Sequence, residues 1–186
     1  MTIKEQRMNA IARELGNASN PGAMGRAFEL SCARAGSRKT CVSKQGQVDV
    51  SVKVAYGTKI RYMPAECKTN GGRVNDLLDG SNKSVFVIYR LDFVQKYKAT
   101  KSAPAREEVR HIPPVIIPTD LFVAMLTECN AIKAIAHGGV QDGIAIQPSS
   151  KRMYERLDAY VKKYGKVALF DNTKTYKAGD FLDMVL

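Results

Sequence analysis

The chain has 186 residues, 45% of them hydrophobic and 25% charged, which suits one well-packed domain rather than two independent ones. No window reaches the roughly 20 continuous apolar residues of a membrane span, and the opening MTIKEQRMNAIAREL lacks the apolar stretch of a secretory signal, so a cytoplasmic location and no membrane partner are expected. Lys and Arg number 29 against 18 Asp and Glu, a formal net charge of +11. The excess is uneven: residues 1–68 hold 12 basic and 5 acidic side chains, and residues 69–186 hold 17 and 13. Such a field attracts polyanions, nucleic acid being the commonest.

In chain order, residues 3–15 read as an amphipathic helix ended by Gly16. A second helix starts at Asn20 as cap, with Pro21 in the first turn, and runs to about Ala35. Its apolar stripe is Met24, Ala27, Phe28, Cys32 and Ala35, with Glu29 on the flank shared by Gly22, Gly25 and Arg26. Residues 40–43 form a short β-prone piece, and residues 47–55 alternate strictly: Val48, Val50, Val52 and Val54 point one way, Asp49, Ser51 and Lys53 the other. After a turn at residues 56–58, residues 59–68 make a strand with Met63, Ala65 and Cys67 on one face and Pro64, Glu66 and Lys68 on the other. Asn70-Gly71-Gly72 breaks it; a short helix over 74–78 and a buried strand over 84–91 follow.

Beyond Leu91 the pattern predicts an exposed polar loop or an extended excursion over 95–110, punctuation at Pro113, Pro114 and Pro118, and a helix from Thr119 or Asp120 to Asn130. Two short strands are expected over 132–136 and 143–147. A helix capped by Ser149 or Ser150 and stopped by Gly165 follows, then a strand over 167–170. The four cysteines, Cys32, Cys41, Cys67 and Cys129, show no C-x-x-C pair and read as reduced, mostly buried thiols. His111 and His137 have no metal-ligand spacing and no evident partner.

The chemistry lies in the hairpin. A two-residue turn centred on Gly57-Thr58 suits the type II′ geometry and pairs Tyr56 with Lys59, which brings Asp49 opposite Glu66. Centring on Tyr56-Gly57 opposes Asp49 to Pro64, still on the Glu66 face, whereas a loop of odd length separates the two acids. Directly opposed side chains have Cβ atoms about 4.5–5.5 Å apart, and like charges there repel. A divalent cation removes that conflict, and an ammonium at Lys68 suits a phosphate oxygen or the attacking water.

Asp49, the hairpin and then Glu66-Cys67-Lys68 resemble the D…(D/E)-x-K signature of the PD-(D/E)xK nucleases. The run Ala65-Glu66-Cys67-Lys68-Thr69 looks like the strand of Holliday-junction resolvases and related endonucleases. The resemblance covers residues 20–91 and departs in having Val48 where the signature has proline. It implies an α/β fold: a restriction-endonuclease-like core with a mixed central sheet flanked by helices, in the order α-β-β-β-α-β, extended by residues 92–186. It implies a Mg²⁺- or Mn²⁺-dependent nuclease acting on DNA, with Asp49, Glu66 and Lys68 catalytic and Glu29, Asp49 and Glu66 as metal ligands. Arg26, Lys53 and Asn70 are the expected nucleic-acid contacts, and a homodimer is a compatible assembly. The alternative is a non-catalytic nucleic-acid-binding or interaction module that keeps the fold. Plainer roles stand beside these: solvated Asp49 and Glu66 salt-bridged to Lys53 and Lys68, an i,i+3 pair between Glu29 and Arg26, and a solvated face for the 151–163 charges.

Overall fold

The structure is a computed structural model that describes residues 28, 29, 32, 49–137, 139–147 and 150–185. The expected helix over 3–15, the strand over 40–43, and Arg26, Gly22, Gly25, Cys41 and Val48 lie outside the described residues. Phe28, Glu29 and Cys32 are helical, with Phe28 and Cys32 buried.

Strand β1 (Val50–Tyr56) buries Val50, Val52 and Val54 on one face, as its alternation requires. Each such valine contributes about 1.5–3 kcal/mol by leaving water. Strand β2 (Lys59–Lys68) returns antiparallel, with Tyr56 paired to Lys59 and Val50 to Ala65. The turn is therefore two residues long. Gly57 sits at φ +58° and Thr58 is not at positive φ, the type II′ pattern. After α1 (Asn75–Leu78), strand β3 (Phe86–Tyr97) lies parallel to β2, with Glu66 in register with Val87 and Lys68 with Tyr89.

Strand β4 (Arg106–Pro118) runs antiparallel to β3. Helix α2 (Thr119–Glu128) follows, then a separate two-stranded sheet of β5 (Ile132–His137) and β6 (Val140–Ile146). Helix α3 (Lys151–Tyr164) has the expected ends: Ser150 Oγ accepts from the Met153 N–H at 3.2 Å, and Gly165 stops it at φ +57°. Its buried stripe is Met153, Leu157 and Tyr160, while Lys151, Lys162 and Arg156 pair with Glu155, Asp158 and Glu128. Strand β7 (Tyr176–Lys177) and α4 (Gly179–Leu182) close the described chain.

The result is mixed α/β, with a five-stranded sheet in the order β4-β3-β2-β1-β7. Phe181 of α4 packs on Phe86, and Phe122 of α2 packs on Tyr89. Phe86 pairs with Ala65 and Tyr89 with Lys68, so these helices cover opposite faces of the sheet. Among the described residues no helix is long and apolar enough to cross a membrane.

The structure corrects or sharpens three expectations. Of the two readings of residues 95–110, the extended one holds at both ends, where β3 continues to Tyr97 and β4 starts at Arg106 with polar side chains paired across the ladder, while residues 98–105 form an exposed connection between them. Pro113 and Pro114 do not interrupt β4; they form a bulge opposite Arg90, between the Tyr89–Val115 and Leu91–Ile112 pairs, where ladder donors are dispensable. Residues 167–170 also differ from the expected strand. A 3-10 turn over Gly165–Val167 leads into a single bridge between Leu169 and Val115. Residues 92–186 thus extend the central sheet by two strands, β4 and β7.

Candidate active site

The β1–β2 register continued by one residue sets Asp49 opposite Glu66, as the two-residue turn predicts. The Cys67 backbone N–H donates to Asp49 Oδ2 at 2.9 Å, which fixes the carboxylate against β2. Asp49 is only 7% exposed, so the expectation of a solvated sheet-face acid does not hold for it. Burial, then the Glu66 and Glu29 carboxylates, push its carboxyl up to about 7. The Cys67 N–H and Lys68 work the other way and do not compensate. Glu29 is therefore within electrostatic reach of Asp49, from the helix where sequence puts it.

Lys68 Nζ donates to Glu66 Oε1 at 2.7 Å, with side chains only 12% and 13% exposed. Burial opposes the Lys68 charge, but Glu66, with smaller help from Asp76 and Asp49, outweighs it and raises the ammonium above its usual range. Lys68 is a fixed cation at neutral pH. Cys67 points to the opposite face, buried with Cys32; burial and Cys32 hold its thiol well above the ordinary value, so it is inert. Cys32, Cys67 and Cys129 are all free and buried.

The strand end that carries Lys68 is anchored from the second sheet. Val74 N–H donates to Ile144, Ile146 N–H to Gly72, and Ile144 N–H to Asn75 Oδ1 at 2.9 Å. Asn70, an expected nucleic-acid contact, binds the Asp92 backbone with both ends of its amide. It stitches β2 to β3. Lys53 is half-buried on the Asp49 face, opposite Tyr62, and makes no ion pair with a described residue. His111 does have a partner, Asp92, at 2.6 Å.

Sequence reasoning missed Asp76 and Tyr89. Asp76 stands on α1 within electrostatic reach of Lys68. Tyr89 is in register with Lys68, and its fully buried hydroxyl has no hydrogen-bond partner among the described residues. Burial keeps that phenol neutral. Only the parallel β2–β3 register reveals Tyr89, and only the packing of α1 reveals Asp76.

Among the described residues, no three His, Cys, Asp or Glu side chains converge closely enough to hold a metal ion unaided. Magnesium takes a few carboxylate oxygens and completes its shell with water and substrate phosphate, so Asp49 and Glu66 would need those further ligands to hold it. A cation beside Asp49 would favour its anion, which burial and the Glu66 and Glu29 carboxylates disfavour. No protein-family model, curated protein or solved structure matches this chain.

Proposed function

We propose that the chain is a divalent-metal-dependent nuclease that hydrolyses DNA phosphodiester bonds, more readily within a strand than from its ends. The observation that carries this reading is the buried Asp49 set opposite Glu66, with Lys68 held beside them. Asp49 and Glu66, assisted by Glu29, would hold Mg²⁺ or Mn²⁺. A bound ion supplies a more acidic water and a Lewis acid for the phosphate oxygens. Lys68 neutralises the charge that builds on the phosphoryl oxygens as the nucleophile adds. Cys67 contributes only its N–H, which orients Asp49.

The restriction-endonuclease-like core belongs to this proposal too, supported by the helix, the β1–β2 hairpin and the parallel β3. A non-catalytic nucleic-acid-binding module is the second reading. It draws on the Glu66–Lys68 ion pair, which is satisfied without a metal. Plasmid nicking with Mg²⁺ or Mn²⁺ separates the two. Wild type should nick, and Asp49→Asn, Glu66→Gln and Lys68→Ala should each lose on the order of 10²–10³-fold in rate. The carboxylate variants should keep or improve DNA affinity, since an anion facing the phosphate is removed, whereas Lys68→Ala should lose some. Unaltered nicking by all three variants sinks the site; binding without cleavage under either metal favours the module.

A further inference from the structure

The far end of the β1–β2 hairpin differs from its base. Every residue from Tyr56 to Tyr62 is exposed, Ile60 and Tyr62 by 55% and 61%. Ile60 pairs with Ala55 and Tyr62 with Lys53, so these side chains leave the same face as Glu66 and Asp49. Strand β7 adds Lys177, an exposed cation in parallel register with Ala55. Tyr62 precedes Glu66 by four positions on one strand, a separation of about 13 Å.

The stripe is apolar and aromatic at its centre and cationic at its margins. Lys53 lies on this face, Lys59 and Arg61 leave the other one, and the sequence between Val50 and Ala65 has no Asp or Glu. An exposed patch of this kind marks an interaction surface, and its charge selects the partner. A second copy of the chain would bring the same cations against these, so self-association is opposed. A polyanion is complementary. A duplex keeps its base faces stacked on one another, leaving nothing for a tyrosine ring to cover. An unpaired strand offers both an open base face and phosphates.

We propose that this face binds a single-stranded polynucleotide segment. A base stacks on Tyr62, flanking phosphates meet Lys53 and Lys177, and the strand leads along β2 towards Glu66. The last clause rests on the nuclease reading; the binding itself needs no cleavage.

The test is fluorescence anisotropy of the full chain in EDTA, with labelled single-stranded DNA, single-stranded RNA and duplex DNA of one length. Wild type should prefer a single strand to the duplex, and the DNA and RNA arms identify which polynucleotide it takes. Tyr62→Ala should weaken single-strand binding about tenfold, and Tyr62→Phe should restore it. Lys53→Ala and Lys177→Ala should each lower the salt slope by about 0.7, one phosphate contact apiece. Tyr62 is exposed, so an unchanged melting curve excludes misfolding. Wild-type affinity in Tyr62→Ala, an equal loss on duplex, or a dimer that Tyr62→Ala dissociates would each overturn the proposal. If wild type nicks no DNA under either metal while Tyr62→Ala loses the single strand, the nuclease reading falls and this surface stands.

Discussion

The two long hairpins of the sheet, β1–β2 and β3–β4, handle charge in opposite ways. On the outer half of β3–β4, facing positions are complementary. Lys96 faces Glu107 at 3.2 Å, the Arg106 guanidinium lies 4.7 Å from the Tyr97 ring centroid, and the Tyr97 hydroxyl donates to Glu108 at 3.0 Å. On β1–β2 the facing positions leave charge unbalanced. Two acids oppose each other at the base, with a third nearby, and cations face tyrosines at the tip. Opposite charges in register account for themselves, because the ladder is what they stabilise. Like charges in register at the base cost stability, and under the proposed function a metal ion there and a polynucleotide at the tip would relieve the imbalance.

The largest test of that difference is the pH dependence of stability at Asp49. Its folded carboxyl lies at about 7 against an ordinary 3.8. Between those values the folded chain holds a proton that the unfolded chain releases. Asp49 therefore subtracts stability as pH rises through this window, and the loss is complete above about pH 7. Its full size is on the order of a few kcal/mol. In EDTA, urea unfolding should show Asp49→Asn gaining little over wild type near pH 4 and a few kcal/mol near pH 8. Mg²⁺ should stabilise wild type at pH 8 and leave the variant nearly unchanged. A gap between the two proteins that does not vary with pH would remove the case for uncompensated charge at the hairpin base.

The base of β1–β2 was legible in the sequence because each signal there is local. Alternating valines set the face, a glycine in a two-residue turn set the register, and the register set Asp49 against Glu66. Helix α3 was legible for the same reason, with Ser150 and Gly165 marking its ends. The β3–β4 arm was not, since its residues are polar on account of partners on the other strand, which a single-strand pattern does not contain. Proline at 113 and 114 reads as a break until the bulge opposite Arg90 is known. Lys177 and Tyr89 join the site face only through parallel pairings, β7 with β1 and β3 with β2, between segments far apart in sequence. The burial of Asp49 likewise depends on the whole fold and decides against the solvated alternative.

Glu29→Gln sharpens the comparison with a smaller effect. Glu29 adds to the charge that raises Asp49, behind burial and Glu66. Removing it should move the Asp49 carboxyl back towards its ordinary value and stabilise the metal-free protein modestly at neutral pH. As a metal ligand, Glu29 should also make cleavage need several-fold more Mg²⁺ when it is neutralised, up to about 10–100-fold if it also orients the other carboxylates. A pairing role with Arg26 alone predicts a stability change well under about 1 kcal/mol and an unmoved metal titration. Cleavage rates across a Mg²⁺ series distinguish these outcomes.

The smallest expected effect is at Lys96, and its smallness is what the comparison requires. Lys96 and Glu107 are 77% and 59% exposed on their side chains, so water and salt screen their attraction at 3.2 Å. A double-mutant cycle of Lys96→Ala and Glu107→Ala should give a coupling below about 1 kcal/mol, diminishing with added salt. Lys96→Ala should also leave single-strand affinity close to wild type, since Glu107 already neutralises that cation, and Lys96 and Tyr62 lie beyond opposite ends of the paired β2–β3 stretch. Anisotropy titrations of Lys96→Ala beside Lys53→Ala read the contrast directly. Equal losses from both substitutions would mean that the polynucleotide senses overall positive charge, and the distinction between the balanced and the unbalanced hairpin would fail.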